Sequence, residues 1–167
     1  VDEAYVDFSG GRNALGLAKT LPNVLVARTM SKSFSFAGLR IGWAIGSADL
    51  IGALYKLKDS YNVDRLAQAV ALAALGDLPW MEANARKIVA TRERTAAELR
   101  KRGFRIVPSA SNFLFVSPPP GLAAADLFVR LRQAKILVRY FPGGRTGHFL
   151  RVSIGTDAQM DAFLAAL

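Results

Sequence analysis

The sequence predicts an α/β fold of two layers that are joined through a long helix. Hydrophobic residues make up 51% and charged residues 21% of the 167 residues, which is typical of a packed globular chain and not of a disordered one. Segments with helical periodicity alternate with short apolar runs, as they do in α/β proteins. The character of the chain changes near residues 80–103, and we expect a domain boundary there.

Two strands and three helices are expected in the first half of the chain. The continuous apolar run at 24–29 is typical of a buried parallel strand. Ser47 or Asp49 is suited to cap the helix that follows the second strand. In order, the predicted elements are an extended piece at 1–8, a polar turn at 9–13, one or two helical turns at 15–20, a buried strand at 24–29, a loop at 31–38, a buried strand at 39–46, and helices at 47–57 and 64–75.

A long amphipathic helix from about Trp80 to Lys101 is expected to open the second half. The Gly-Asp-Leu-Pro sequence at 76–79 ends the preceding helix, and Gly103 is suited to stop the long one. The remaining predicted elements are strands at 104–108 and 112–116, a helix at 123–134, strands at 136–140 and 149–154, and a final helix that Thr156 or Asp157 caps.

Composition excludes several classes of site. The chain has no cysteine, so it can hold no disulfide and no thiolate ligand or nucleophile. Its one histidine, His148, argues against a multi-imidazole zinc site and a serine–histidine triad. The longest apolar run, 66–75, is far shorter than a membrane span, and the chain opens without the pattern of a secretory signal. We therefore expect a soluble, cytoplasmic protein.

The first residue of the sequence is relevant to whether the chain is part of a longer polypeptide. Val1 is not an initiator methionine, and it stands at the end of an expected strand. We expect the chain to be the later part of a longer polypeptide.

The net charge of +9 is consistent with two kinds of partner, nucleic acids and small anions. Eight of the twenty residues at 86–105 are basic, but Glu93 and Glu98 are interleaved at helical spacing. This pattern is typical of a solvated helix face, and the other arginines stand singly at strand ends, as in anion-binding sites. The sequence therefore favours anionic small-molecule substrates and neither nucleic acid nor membrane, with nucleic-acid binding through 86–105 as an alternative.

The most informative stretch lies around Lys32, between a predicted buried strand and a loop of small residues. A lysine that is partly withdrawn from water can attack an aldehyde and form a Schiff base. Ser31 and Arg40 supply a hydroxyl and a guanidinium that could converge on one phosphate. Gly38 and Gly42 allow backbone to approach a ligand or a neighbouring strand. The alternative is an exposed loop lysine and a structural arginine.

Asp2 and Tyr5 stand about thirty residues before this lysine. A carboxylate at a strand end can keep a pyridine nitrogen protonated, and a phenol can hydrogen-bond a ring hydroxyl, as a pyridoxal-phosphate site requires. Taken singly, Asp2 could equally be a solvated turn residue and Tyr5 a packing residue. Their spacing before the lysine loop favours the functional interpretation.

Together, Asp-Glu-Ala-Tyr, Ser-Lys-Ser-Phe and Ala-Gly-Leu-Arg-Ile-Gly resemble fold-type I pyridoxal-phosphate aminotransferases, and the chain is most similar to their histidinol-phosphate branch. The resemblance implies a PLP-dependent transferase-like α/β fold, also called the aspartate aminotransferase fold. It implies that Lys32 binds the cofactor aldehyde, Asp2 pairs with the ring nitrogen and Tyr5 contacts the ring hydroxyl. It also implies that Ser31 and Arg40 bind the cofactor phosphate.

The second half of the chain resembles the same family. The segments at 111–114 and 148–156 are similar to two strands of its small domain, and the resemblance implies that Arg151 binds the substrate α-carboxylate. The segment at 136–141 is similar to one typical of the histidinol-phosphate branch, which implies that Arg139 meets the distal phosphate. Arg139 could otherwise be an exposed strand-end charge, and His148 is expected to be a loop residue without a role in proton transfer.

The resemblance also divides the chain into domains. It implies the C-terminal part of a large cofactor-binding domain at 1–80, a linking helix at 81–103 and a small α/β domain at 104–167. These residues correspond to about the later half of the family's length, so parts of the family's site precede Val1.

The implied activity is transamination of histidinol phosphate with 2-oxoglutarate in histidine, hence amino-acid, biosynthesis, and the implied assembly is a homodimer. Alternatives on the same scaffold are an aromatic aminotransferase and a phosphoamino-acid decarboxylase. An alternative of another class is an inactive fragment that serves as a binding or assembly module.

Overall fold

The computed structural model describes residues 1–167, which form two compact units, Val1–Ala85 and Arg86–Leu167. The division falls inside the longest helix, α4 (Leu78–Lys101). The domain limits at residues 80 and 103 remain a prediction. No helix of the chain is both long enough and apolar enough to cross a bilayer.

The first unit contains two strands and three helices ahead of α4. Two short 3-10 turns, at Val6–Phe8 and Ala37–Leu39, accompany them. In chain order the regular elements are α1 (Leu15–Thr20), β1 (Val26–Thr29), β2 (Gly42–Ile45), α2 (Ala48–Leu57) and α3 (Arg65–Leu75).

Strand pairing in this unit differs from the prediction. β1 pairs with β2 in antiparallel register, with Val26 opposite Ile45, because the loop at 30–41 returns the chain directly beside the strand it left. A parallel connection would need a longer crossover. The parallel neighbour of β1 is instead the N-terminal segment, through a single bridge between Asp2 and Ala27.

Two further predictions for this unit are wrong. The piece at 1–8 is extended only around its bridge with β1, since residues 6–8 turn into a 3-10 helix. β2 is shorter than predicted and is not buried, and Trp43 keeps 38% of its surface exposed. A two-stranded sheet leaves apolar residues uncovered that a wider, helix-covered sheet would bury.

The helix starts follow the local sequence as predicted. The Ser47 hydroxyl accepts a hydrogen bond from the Leu50 amide at the start of α2, and Asp64 accepts one from Ala67 at the start of α3. α4 begins at Leu78, slightly earlier than expected. Pro79 can stand in the first turn of α4, because the backbone amide hydrogen that proline lacks would have no intrahelical partner there. α4 ends before Gly103, whose φ of +81° and backbone bonds close the last turn.

The second unit has a four-stranded antiparallel sheet in the order β3-β4-β6-β5. Its helix α6 begins with a capping box between Thr156 and Gln159. In chain order the elements after α4 are β3 (Arg105–Val107), β4 (Phe113–Ser117), α5 (Ala124–Gln133), β5 (Arg139–Tyr140), β6 (Leu150–Ser153) and α6 (Asp157–Ala165). β5 is shorter than predicted, since Lys135 adopts a left-handed conformation and residues 136–138 do not pair with β6.

Alternation along the central strands creates two different sheet faces. Leu114 and Val116 of β4, with Leu150 and Val152 of β6, are buried in the hydrophobic core of this unit. The residues between them point to the opposite face, and Arg151 is one of these. The core therefore fixes on which face of the sheet this arginine stands.

The basic residues of α4 are not all solvated. Arg92 is buried, and its Nη1 donates to the Ser111 carbonyl oxygen at 2.8 Å. Arg94 binds Asp161 and Asp157 at 2.5 and 3.1 Å, which raises the pKa of its guanidinium, chiefly through the Asp161 hydrogen bond. The prediction of a uniformly solvated basic face is thus wrong at Arg92.

Candidate active site

The N-terminal segment lies against β1 and places the first predicted site residue. The Glu3 amide donates to the Ala27 carbonyl oxygen at 2.8 Å, and the Ala27 amide donates to Val1 at 2.9 Å. Asp2 stands between these bonds, and its Oδ1 accepts a hydrogen bond from the Ala4 amide at 2.9 Å. The carboxylate is exposed at the edge of β1.

Glu3, next to Asp2, fastens this segment. Its side chain is 6% exposed, and its Oε2 lies 2.9 Å from Nε and 2.8 Å from Nη2 of Arg28. The other carboxylate oxygen accepts from the Ala14 amide at the start of α1. A buried carboxylate needs such partners, so Glu3 joins the segment to β1 and to α1. Neither Glu3 nor Arg28 was predicted from the sequence to be a site residue.

Lys32 follows β1 and is half-buried. Its Nζ lies 5.3 Å from the centre of the Tyr5 ring. An ammonium at this distance from an aromatic face is attracted to the ring quadrupole. The structure therefore brings together the predicted lysine and the predicted phenol.

Ser31 belongs to a hydrogen-bond network centred on Thr29. The two hydroxyl oxygens are 2.9 Å apart, and the Ser31 amide donates to the Thr29 hydroxyl at 3.1 Å. Thr29 also donates to the Ile41 carbonyl oxygen at 3.0 Å, just before β2. The Ser31 hydroxyl is consequently held at the base of the lysine loop.

Arg40 closes the lysine loop and is exposed. Its φ of +56° is unusual for arginine, and its Nη1 donates to the Ala37 carbonyl oxygen at 3.0 Å. The hydrogen bonds of Asp2 and Arg40 are made within their own segments and do not reach Lys32. A shared ligand between these three residues stays a prediction.

A further contact near Lys32 was not predicted. Ser33, which follows the lysine and is 5% exposed, donates its hydroxyl hydrogen to Oδ2 of Asp7 in the 3-10 turn after Tyr5. The partners are 26 positions apart in sequence. No local pattern identifies such a pair, because both residue types are common in loops.

In the second unit, the two predicted substrate arginines stand opposite each other. Arg139 of β5 pairs with Arg151 of β6 in the antiparallel register. The Arg151 guanidinium carbon lies 5.5 Å from the Phe113 ring centre and 5.6 Å from that of Phe141. The Arg139 guanidinium carbon lies 5.4 Å from the Phe141 ring centre. Phe141 is therefore shared by both cations, and the sequence analysis had not selected either phenylalanine.

The arginine pair has the properties of an anion site. Like charges directly opposite each other destabilise a strand pair, and the aromatic faces offset only part of that repulsion. Nε of Arg151 is buried and has no hydrogen-bond partner. A buried donor without an acceptor costs free energy that an incoming anion would recover.

Comparison with known proteins identifies the family. Residues 1–167 match the family described as aminotransferase class I and II. The chain belongs to this family. Its members depend on pyridoxal phosphate, and the family and cofactor that the motifs predicted are confirmed.

The relatives come from several bacteria. A protein of Rhizobium meliloti (strain 1021) described as histidinol-phosphate aminotransferase 2 is 47% identical over 170 residues, which are 100% of this chain and 48% of the relative. Histidinol-phosphate aminotransferase of Geobacter sp. (strain M21) is 47% identical over 167 residues, covering 100% of this chain and 47% of the relative. The chain thus spans about half the length of the curated relatives it matches.

A solved structure supports the same fold. Histidinol-phosphate aminotransferase from Sinorhizobium meliloti, in complex with pyridoxal-5'-phosphate, matches with a TM-score of 0.87 and 30% sequence identity. The match covers 99% of this chain and 46% of that one. The predicted PLP-dependent transferase-like fold is confirmed.

Proposed function

We propose that this chain supplies the cofactor lysine and the substrate-binding arginines for transamination of histidinol phosphate with 2-oxoglutarate, a step of histidine biosynthesis. The observation that carries the proposal is the position of Lys32, whose half-buried amine lies 5.3 Å from the Tyr5 ring centre at the end of β1. The relatives described as histidinol-phosphate aminotransferases support the choice of substrate.

The residues around Lys32 fit pyridoxal phosphate by their chemistry. The cofactor offers an aldehyde, a ring nitrogen, a ring hydroxyl and a phosphate. Lys32 supplies an amine for the aldehyde, and the exposed carboxylate of Asp2 is suited to the ring nitrogen. Tyr5 supplies a phenol for the ring hydroxyl. Ser31 and Arg40 are donors of the kind that bind phosphate.

The reaction requires removal of a proton from the α-carbon of the amine substrate. When bound, pyridoxal phosphate supplies a ring that delocalises the charge left on that carbon. Lys32 Nζ acts as the general base and acid, accepting this proton and returning it. The Asp2 carboxylate would hold the ring nitrogen protonated. The Tyr5 ring, 5.3 Å from Nζ, attracts the ammonium form of Lys32 once it has accepted the proton.

The arginine pair binds the anionic groups of both substrates. Glutamate and 2-oxoglutarate carry an α-carboxylate, which is the proposed partner of Arg151, and a second carboxylate for Arg139. Histidinol phosphate carries a phosphate ester and no carboxylate, so the opposed guanidiniums offer their donors to a single dianion. One pair of residues can therefore serve both half-reactions.

The proposal includes a cytoplasmic homodimer, which the resemblance to the family implies. The proposed role of the chain is to contribute residues to this reaction. The labelling and substrate experiments below measure whether residues 1–167 act on their own. Aromatic amino acids and phosphoamino acids are the competing substrates.

Covalent labelling of Lys32 tests the proposal. The chain is incubated with pyridoxal phosphate, its absorbance is recorded, and borohydride reduction is followed by peptide mass mapping. We expect a yellow band that reduction bleaches and a label on Lys32, and we expect both to be lost in Lys32→Ala. Lys19→Ala, an exposed lysine of α1, is the matched control. Absence of the band, or labelling spread over surface lysines, would contradict the proposal.

Substrate choice is tested next on the unreduced complex of the chain with pyridoxal phosphate. The bound cofactor is exposed to L-histidinol phosphate, L-phenylalanine or O-phosphothreonine, and loss of the band is followed at equal concentrations. We expect the fastest conversion with histidinol phosphate and recovery of the band with 2-oxoglutarate. Preference for phenylalanine would favour the aromatic aminotransferase, and release of carbon dioxide would favour the decarboxylase.

A further inference from the structure

Side-chain hydrogen bonds hold the backbone of the lysine loop on both sides of Lys32. Ser31, before the lysine, is joined to Thr29 at the end of β1. Ser33, after it, donates to Asp7 in the 3-10 turn. The Lys32 carbonyl oxygen also accepts from the Ser35 amide at 3.1 Å. The backbone that carries the lysine is therefore fixed from two different elements.

Two neighbouring loop residues, Lys32 and Ser33, contact the 3-10 turn and the residue before it. The Lys32 amine faces the Tyr5 ring, and Ser33 bonds to Asp7, two positions further along the same turn. That turn is itself anchored, since the Phe8 amide donates to the Tyr5 carbonyl oxygen at 3.1 Å and the Phe8 ring is buried. The Asp7–Ser33 hydrogen bond thus joins the residue after Lys32 to the turn that follows Tyr5.

A lysine side chain loses much rotamer freedom when its amine must meet one atom of a ligand. A fixed backbone reduces the number of directions the amine can take, so it lowers the entropic cost of reaching that atom. A hydrogen bond to an ionised carboxylate is suited to this task, because it is stronger than one between neutral groups.

We propose that Asp7 and Ser33 are positioning residues that hold Lys32 over the Tyr5 ring and so promote its reaction with the cofactor aldehyde. The inference rests on the proposed function of Lys32. It goes beyond that function, because neither residue would touch the cofactor in the proposed arrangement.

Burial of Ser33 offers a plain alternative, in which the hydrogen bond only stabilises the first unit. Ser47 provides the control, because its hydroxyl is likewise hydrogen-bonded in this unit. It accepts from the Leu50 amide and donates to the Pro22 carbonyl oxygen. Ser47→Ala should lower stability without moving the lysine loop. Any effect shared by Ser47→Ala and Ser33→Ala is therefore a stability effect.

Amide hydrogen exchange of the cofactor-free chain tests the positioning directly. Four amides of the loop between β1 and the 3-10 turn at Ala37–Leu39 have hydrogen-bond acceptors, and they belong to Met30, Ser31, Ser35 and Phe36. We expect exchange of these amides to become about tenfold faster in Asp7→Ala and in Ser33→Ala. We expect no such change in Ser47→Ala. Equal exchange in wild type and both loop variants would overturn the inference.

Cofactor binding then tests whether the Asp7–Ser33 hydrogen bond promotes the reaction of Lys32 with pyridoxal phosphate. The concentration of pyridoxal phosphate that half-saturates Lys32 labelling should rise about tenfold in either variant, the equivalent of one charge-assisted hydrogen bond. The double variant should bind pyridoxal phosphate no more weakly than the weaker-binding single variant, since both single substitutions remove the same hydrogen bond. Ser33→Thr, which retains a hydroxyl, should recover most of the loss.

The outcomes separate the two proposals. Faster loop exchange with unchanged cofactor binding would show that the bond does not serve Lys32 and would overturn the inference alone. Independent, additive losses in the double variant would also overturn it. Failure of the wild-type chain to label at Lys32 would overturn the proposed function, and the positioning role with it, whatever the exchange rates.

Discussion

Arg139 and Arg151 face each other across the antiparallel β5–β6 pair, and both guanidiniums lie beside the ring of Phe141. Two cations in this relationship repel each other unless an anion or an aromatic face lies between them. The buried Nε of Arg151 has no acceptor. We therefore expect a bound dianion to stabilise this strand pair, as the proposed function requires.

Replacing one arginine by a neutral residue should clearly weaken phosphate binding but change the free energy of unfolding little. We expect Arg139→Gln to change the free energy of unfolding by less than about 1 kcal/mol, because relief of repulsion offsets the lost ring contact. The phosphate concentration that half-maximally raises the melting temperature should increase about tenfold. Arg130→Gln on α5 is the matched control at constant ionic strength. An equal loss in both variants would indicate general charge attraction.

Replacing the shared ring should disturb both arginines at once. Phe141→Leu retains an apolar side chain but removes the face that both guanidiniums contact. Each such contact contributes about 0.5–1 kcal/mol at an exposed site, so we expect phosphate binding to weaken about fivefold. Phe128→Leu, which removes the ring packed 5.8 Å from Tyr140, is the control. The phosphate dependence of the melting temperature is measured for both variants, and a larger effect in Phe128→Leu would refute the role of Phe141.

Two glycines of the first unit should respond oppositely to alanine. A Cβ at Gly42 would lie 2.8 Å from the Arg28 carbonyl oxygen, so Gly42→Ala forces β1 and β2 apart. We expect a loss of about 1–3 kcal/mol. Gly52 lies in α2 with open space around it, and Gly52→Ala should add about 0.5–1 kcal/mol. Urea unfolding followed by fluorescence of Trp43 and Trp80, which both lie in this unit, measures its stability, and similar midpoints for both variants would contradict the prediction.

Acid should weaken the attachment of α6 through Asp157. The hydrogen bond from Thr91, and then the one from Arg94, hold the pKa of this carboxyl below its ordinary value of 3.8. Because the folded-state pKa is the lower one, the stabilisation is present above pH 3.8 and is lost as the pH falls through the folded-state pKa.

Asp157→Asn should therefore flatten the pH dependence of unfolding below pH 3.8. Thermal melts by circular dichroism between about pH 2 and 5 measure it. Asp126→Asn, a change in the first turn of α5, is the control. A pH dependence of Asp157→Asn that equals that of wild type in this range would disprove the linkage.

Features set by neighbouring residues could be predicted. The starts of α2, α3 and α6 follow from Ser47, Asp64 and Thr156, since a cap bonds to an amide three residues away. The motifs around Lys32 identified the family, because each is a short continuous sequence. The direction of pairing of β1 could not be predicted, since an apolar run does not specify its neighbour.

Contacts between distant residues could not be predicted. Arg28 and Glu3 are 25 positions apart, and Ser33 and Asp7 are 26 apart. Neither pair has a spacing that a helix or strand repeats. Phe141 was likewise missed, because an aromatic ring beside an arginine in space has no signature in sequence.

The sequence by itself determined the family, the helices and which lysine is proposed to bind the cofactor, because these follow from short contiguous patterns. Only the tertiary structure decided that Lys32 lies over Tyr5, that Ser33 is tied to Asp7 and that Arg139 opposes Arg151. The physical reason is that strand register and loop docking are chosen by packing over the whole unit, and local propensity does not encode them.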